Sequence, residues 1–173
     1  QTVVGDIVLN GQGGESGGYS HGISGGGTIV SSSGDIVLTG MGGSGGGSSH
    51  GVRLLDNTLI STTVGSIVIS GTGGTSGDSN FGVTLEANTN VQTAEGAVTL
   101  DGHAGGGAYS HGVFNLGQTQ VTSRDGDVSL RGVAGSGFGY GVRLTDSAQI
   151  ASGTATVATG SLTIDAVGRN LDD

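Results

Sequence analysis

This 173-residue chain contains no Cys, Pro, Lys or Trp, and its large aromatics are three Phe and three Tyr. Without Cys there is no disulfide framework, no thiolate metal site and no cysteine nucleophile. Without Pro, and with no strict three-residue glycine period, a collagen triple helix is excluded. No apolar run approaches the roughly 18 residues that span a bilayer, so no membrane insertion is expected within this segment. Positive charge is scarce: five basic residues, all Arg, face fourteen acids, for a net charge of −9. Such a surface repels phosphate backbones and anionic lipid, and nucleic acid is not an expected partner.

What the chain has in abundance is glycine, 40 residues, roughly three times the usual share of about 7 %. Only 33 % of residues are apolar, yet they fall at regular intervals. The decapeptides GDIVLNGQGG, GDIVLTGMGG, GSIVISGTGG, GAVTLDGHAG and GDVSLRGVAG begin at Gly5, Gly34, Gly65, Gly96 and Gly126. A divergent copy, GSLTIDAVGR, begins at Gly160, so the spacings are 29, 31, 31, 30 and 34 residues. A second landmark recurs inside each unit: SHGI at Ser20, SHGV at Ser49, NFGV at Asn80, SHGV at Ser110 and GYGV at Gly139. Two landmarks recurring together define one repeat array, a single domain over residues 1–173.

Within a unit the apolar residues alternate with period two, the signature of a strand. The equivalent pairs are Ile7/Leu9, Ile36/Leu38, Ile67/Ile69, Val98/Leu100 and Val128/Leu130. A second segment holds Val52/Leu54, Val83/Leu85 and Val142/Leu144, and a third centres on Ile29, Ile60, Val91, Val121 and Ile150. In the fourth unit Asn115 replaces the second-segment Leu and Leu116 follows one residue late, which predicts a β-bulge. The extra residues of the fifth unit fall around Gly153–Val157, where a connection tolerates length change.

One such unit buries too few aliphatic side chains to offset the ordering of about 30 residues, so units must stack on one another. The expected fold is all-β: a right-handed parallel β-helix, or β-solenoid, with about 31 residues and three short strands per coil. It comprises five full coils and a partial one. Residues 1–4 read as the tail of a preceding third strand, and the array is expected to be a fragment of a longer chain.

Stacking aligns equivalent residues into columns. His21, His50, Phe81, His111 and Tyr140 form an expected ring ladder, and Tyr19, Ser48, Ser79, Tyr109 and Phe138 lie two residues earlier. A third column reads Asp6, Asp35, Ser66, Ala97, Asp127 and Ser161.

These tandem repeats, with GDIVLTGMGG and SHGVRL in a Gly, Ser and Thr background, resemble the β-solenoid regions of large bacterial surface proteins. Those are the filamentous-haemagglutinin-like adhesins and the related autotransporter passenger domains. The resemblance spans residues 5–165. It implies a parallel β-helix, secretion to an extracellular or cell-surface location, and a role as stalk or adhesive filament. The implied partner is a host-cell or matrix surface or a glycan, besides neighbouring repeats of the same chain. It carries over no catalytic or binding residue.

Candidate chemistry is sparse. His21 and His50, in adjacent coils, are a candidate metal pair, though Phe81 and Tyr140 at equivalent positions favour a structural column. Asp6 and Asp35 should face each other, which suits Ca2+ or a turn in which Asp bonds backbone. His103 reads as a lone, solvent-facing residue of a glycine arc. The acids Asp56, Asp78, Glu86, Asp101 and Asp146 occupy different unit positions, and Arg53 and Arg143 lie three coils apart, so no acid–base pair of a glycan-cleaving enzyme is assembled. The outward residues of the third segment, such as Asn90, Gln92 and Gln120, make no repeated Thr-x-Thr plane of the kind used for ice binding.

The sequence therefore favours a non-enzymatic structural segment. One alternative is a carbohydrate-binding or carbohydrate-cleaving β-helix, with Tyr19, Tyr109 and Phe138 stacking on sugar rings. Another is a calcium-stabilised surface-layer or matrix protein.

Overall fold

The computed structural model describes residues 4–153 and 160–168. The expected strand tail at residues 1–3 and the extra connection residues 154–157 lie outside the described residues. Among the described residues there are sixteen strands and no helix. They form three parallel sheets, and the chain visits each sheet once per coil. The first sheet holds β1 (Ile7–Gln12), β4 (Ile36–Met41), β7 (Ile67–Thr72), β10 (Val98–His103), β13 (Val128–Val133) and β16 (Leu162–Val167). The second holds β2 (Ile23–Gly25), β5 (Val52–Leu54), β8 (Val83–Leu85), β11 (Val113–Asn115) and β14 (Val142–Arg143). The third holds β3 (Thr28–Ser31), β6 (Leu59–Thr62), β9 (Asn90–Thr93), β12 (Gln120–Ser123) and β15 (Gln149–Ser152). The fold is a parallel β-solenoid of five coils and the first strand of a sixth.

Register follows the repeat. Ile7 pairs with Ile36, Ile36 with Ile67, Ile67 with Val98, and Val98 with Val128. Ile29, Ile60, Val91, Val121 and Ile150 align in the same way. Alternation then sends one side-chain set inward, and Ile36, Leu38, Val52, Ile60, Ile69 and Leu100 have no exposed surface. The core is therefore a set of aliphatic columns running along the solenoid axis.

A Ser or Thr closes each coil at the corner before the opening glycine. The Thr62 hydroxyl donates to the Gly34 carbonyl of the preceding coil at 3.0 Å and accepts the Gly65 amide at 3.3 Å. Thr93 and Ser123 repeat both bonds one and two coils on. A β-branched or small hydroxyl residue at this position thus satisfies two buried backbone groups at a bend where the ladder cannot.

Two expectations are corrected. Asn115 makes no bulge: β11 pairs with β8 in plain register, Asn115 opposite Leu85. Its buried amide donates to Thr119 Oγ1 and the Gly117 carbonyl, and its oxygen accepts the Thr145 amide at 2.9 Å. A satisfied polar side chain occupies the core position, and Leu116 turns outward. The first strand also outruns its apolar pair, continuing through the glycine to residues such as Gln12 and His103. His103 is consequently the last residue of β10, 3.3 Å from Asp101, rather than a lone arc residue.

Beyond that strand the chain folds back as a thin lobe. A methyl group on Gly71 would overlap the Gly82 carbonyl, and Gly11, Gly40, Gly102 and Gly132 meet Gly22, Gly51, Gly112 and Gly141 in the same way. Glycine is required there because backbone packs on backbone with no room for a side chain. The lobes are tied from coil to coil by bonds such as Gly43 N–H to the Ser20 carbonyl and Gly74 N–H to the Ser49 carbonyl, both 2.7 Å.

Candidate functional site

At the end of the lobe the chain turns through a left-handed residue, Tyr19, Ser48, Ser79 and Tyr109 having φ of 62°, 58°, 59° and 56°. The two residues that follow are the Ser-His landmark, and their side chains replace the sheet ladder around the bend. Ser49 N–H donates to Asn80 Oδ1 at 2.9 Å, and Asn80 N–H to Ser110 Oγ at 3.0 Å, both toward the following coil. The next amide points the other way. His50 N–H donates to His21 Nδ1 at 3.1 Å, Phe81 N–H to His50 Nδ1 at 3.2 Å, and Tyr140 N–H to His111 Nδ1 at 3.0 Å. Successive amides of an extended chain face opposite neighbours, so a short acceptor followed by an imidazole satisfies both.

The rings from His21 to His111 stack, and Tyr140 lies tilted by 38° on His111. Centroid separations are 4.9 Å for His21–His50, 4.7 Å for His50–Phe81, 5.2 Å for Phe81–His111 and 5.3 Å for His111–Tyr140. Burial holds the His50 pKa down at about 3, helped by His21 and Arg53, and the His111 pKa at about 4, helped by Arg143. Burial, then Arg53, also lowers that of His21. His111 faces a second donor, Arg143 Nη1, 3.2 Å from its Nε2. A neutral imidazole has one lone-pair nitrogen, so His111 accepts only one of the two at a time. With Nδ1 accepting an amide of the next coil, His21, His50 and His111 each tie one coil to the next.

Asp6 and Asp35 each have one carboxylate oxygen engaged by backbone. Asp6 Oδ1 accepts the Asp35 amide at 2.9 Å, Asp35 Oδ1 the Ser66 amide at 2.8 Å, and Asp127 Oδ1 the Ser161 amide at 2.7 Å. Each carboxylate bonds the backbone of the next coil, not its own turn. Among the described residues no group of three or more His, Asp or Glu is placed to hold a metal ion. Arg53 pairs with Glu86 at 2.5 Å, which joins two of the acids and bases that the sequence left scattered. Tyr19, Tyr109 and Phe138 are 73 %, 62 % and 63 % exposed, with the Tyr109 and Phe138 rings 6.4 Å apart.

The outward face of the third sheet is different in kind. Its two columns are Thr28, Leu59, Asn90, Gln120, Gln149 and Val30, Ser61, Gln92, Thr122, Ala151. Grooves of about 400 and about 330 Å³ border the columns on either side. Among the described residues the side-chain amides of Asn90, Gln92, Gln120 and Gln149 make no hydrogen bond within the chain. Sequence reasoning named these residues but had no means to see that their amides are unengaged, because that depends on what the neighbouring coil offers.

Fold and ladders together define a parallel β-solenoid repeat protein whose polar columns tie coil to coil. No protein-family model, curated protein or solved structure matches the chain significantly.

Proposed function

We propose that this chain is a non-enzymatic structural segment, part of the stalk or adhesive filament of a large secreted or cell-surface bacterial protein of the filamentous-haemagglutinin or autotransporter-passenger kind. The observation that carries this reading is where the polar side chains go. His21, His50, His111, Asp6, Asp35, Asp127 and the corner Ser and Thr residues all bond the backbone of an adjacent coil. A catalytic centre needs acid and base groups free to reach a substrate, whereas these serve the stack.

A stalk built this way unravels from its ends one coil at a time when pulled. Single-molecule stretching should give repeated extensions of about 100 Å, the length of one coil of about 31 residues drawn straight. A single rupture of the whole array at low force would count against a stalk. Release of reducing ends from a polysaccharide panel would replace the reading with an enzymatic one.

A further inference from the structure

We propose that the outward face of the third sheet, across β9, β12 and β15, binds an uncharged polysaccharide laid along the solenoid axis. This deepens the adhesive-segment reading by assigning its contact surface and ligand class.

In the Asp, Ser-His and corner columns, side-chain oxygens and ring nitrogens bond the next or the preceding coil. On this face the amides of Asn90, Gln92, Gln120 and Gln149 are left without partners in the chain. Asn90 Oδ1 is even shielded from water with no donor, at the edge of the groove that Gln120 and Gln149 also line. Buried side-chain oxygens without a hydrogen bond also occur at Thr84 and Asp101, but on this face unpartnered amides recur over three successive coils.

The chemistry of those groups selects the ligand. A primary amide presents donors and acceptors together, and so does a sugar hydroxyl, so each can satisfy the other in either direction. The two outward columns contain no charged residue. Arg124, at the edge of the other groove, is already held by Asp125 at 2.7 Å and Glu95 at 4.0 Å. Nothing on the face attracts a polyanion, and the net charge of −9 repels one. A protein partner is disfavoured because, over β9, β12 and β15, Ala151 is the one apolar member of the two columns, too little for an interface core. Asn90, Gln120 and Gln149 follow one another at the coil spacing, about 4.8 Å. A ladder of that regularity suits a polymer with its own regular repeat.

The test is affinity electrophoresis of the purified chain through gels cast with dextran, galactomannan, xyloglucan or polygalacturonate. At least one neutral polymer should retard the wild type. Gln120→Ala/Gln149→Ala should weaken that binding at least tenfold while thermal unfolding stays unchanged, since both side chains are exposed. Tyr109→Ala/Phe138→Ala, which alters rings in the connections between the first and second sheets, should bind like wild type. The proposal is overturned if no neutral polymer retards the chain, if only polygalacturonate does, if the glutamine variant binds normally, or if the ring variant loses binding. Coil-by-coil unravelling without retardation would sink this site and leave the stalk standing. Release of reducing ends would do the reverse.

Discussion

Protonating His50 puts an N–H on the ring nitrogen that now accepts the Phe81 amide, and His111 stands in the same relation to Tyr140. Both folded-state pKa values, about 3 and about 4, lie below the ordinary 6.5. The stabilisation linked to these rings is therefore complete above about pH 6.5. It is lost as pH falls toward 4, because the unfolded chain takes up protons that the folded one refuses. Replacing both rings with Phe removes this term without emptying the column, since Phe81 already sits stacked between His50 and His111. Denaturant titrations at pH 7 and pH 4 should show the wild type losing on the order of 3–6 kcal/mol more than His50→Phe/His111→Phe. Carboxylate titration affects both proteins equally, so parallel losses would refute the assignment. The column's members were readable from the sequence because each ring stands immediately before a glycine of the second landmark. Its hydrogen bonding was not, since an acceptor role depends on the amide direction one coil away.

At the level of elements, register was the most legible feature. Ile/Leu pairs at nearly constant spacing leave only one alignment that buries every column. Reading the same pattern too strictly produced the bulge at Asn115, where hydrogen bonds to Thr119, Gly117 and Thr145 let an amide hold a leucine position. The glycine pinch was invisible for another reason: among 40 glycines, composition cannot mark the few that face backbone. The distinction is measurable. Gly71→Ala forces a methyl into the Gly82 carbonyl, while Gly14→Ala meets nothing within 4 Å and keeps an ordinary φ. The first should lower unfolding free energy by about 3 kcal/mol or more, and the second should change it by no more than about 0.5 kcal/mol. Equal effects would mean that the lobe is not packed backbone on backbone.

Across the whole molecule, fourteen acids against five arginines create self-repulsion, which bound calcium is one way to relieve. The coil geometry offers a different solution. The stacked carboxylates of Asp6, Asp35 and Asp127 are each neutralised in part by an amide of the coil beyond. Asp78 does likewise, accepting the Ala108 amide at 2.8 Å. Glu86 and Asp125 take arginine partners. The remaining repulsion is long-range, and monovalent salt screens it. Adding EDTA should therefore shift Tm by less than about 2 °C, while raising NaCl from about 20 to about 200 mM should raise it by a few degrees. Magnesium and calcium at matched ionic strength should act like sodium, because carboxylates engaged with backbone on separate coils give a divalent ion no convergent set of oxygens. A stabilisation specific to calcium would show that the carboxylates turn from the amides to a shared cation. That result would favour a calcium-stabilised surface-layer or matrix protein over the stalk proposed above.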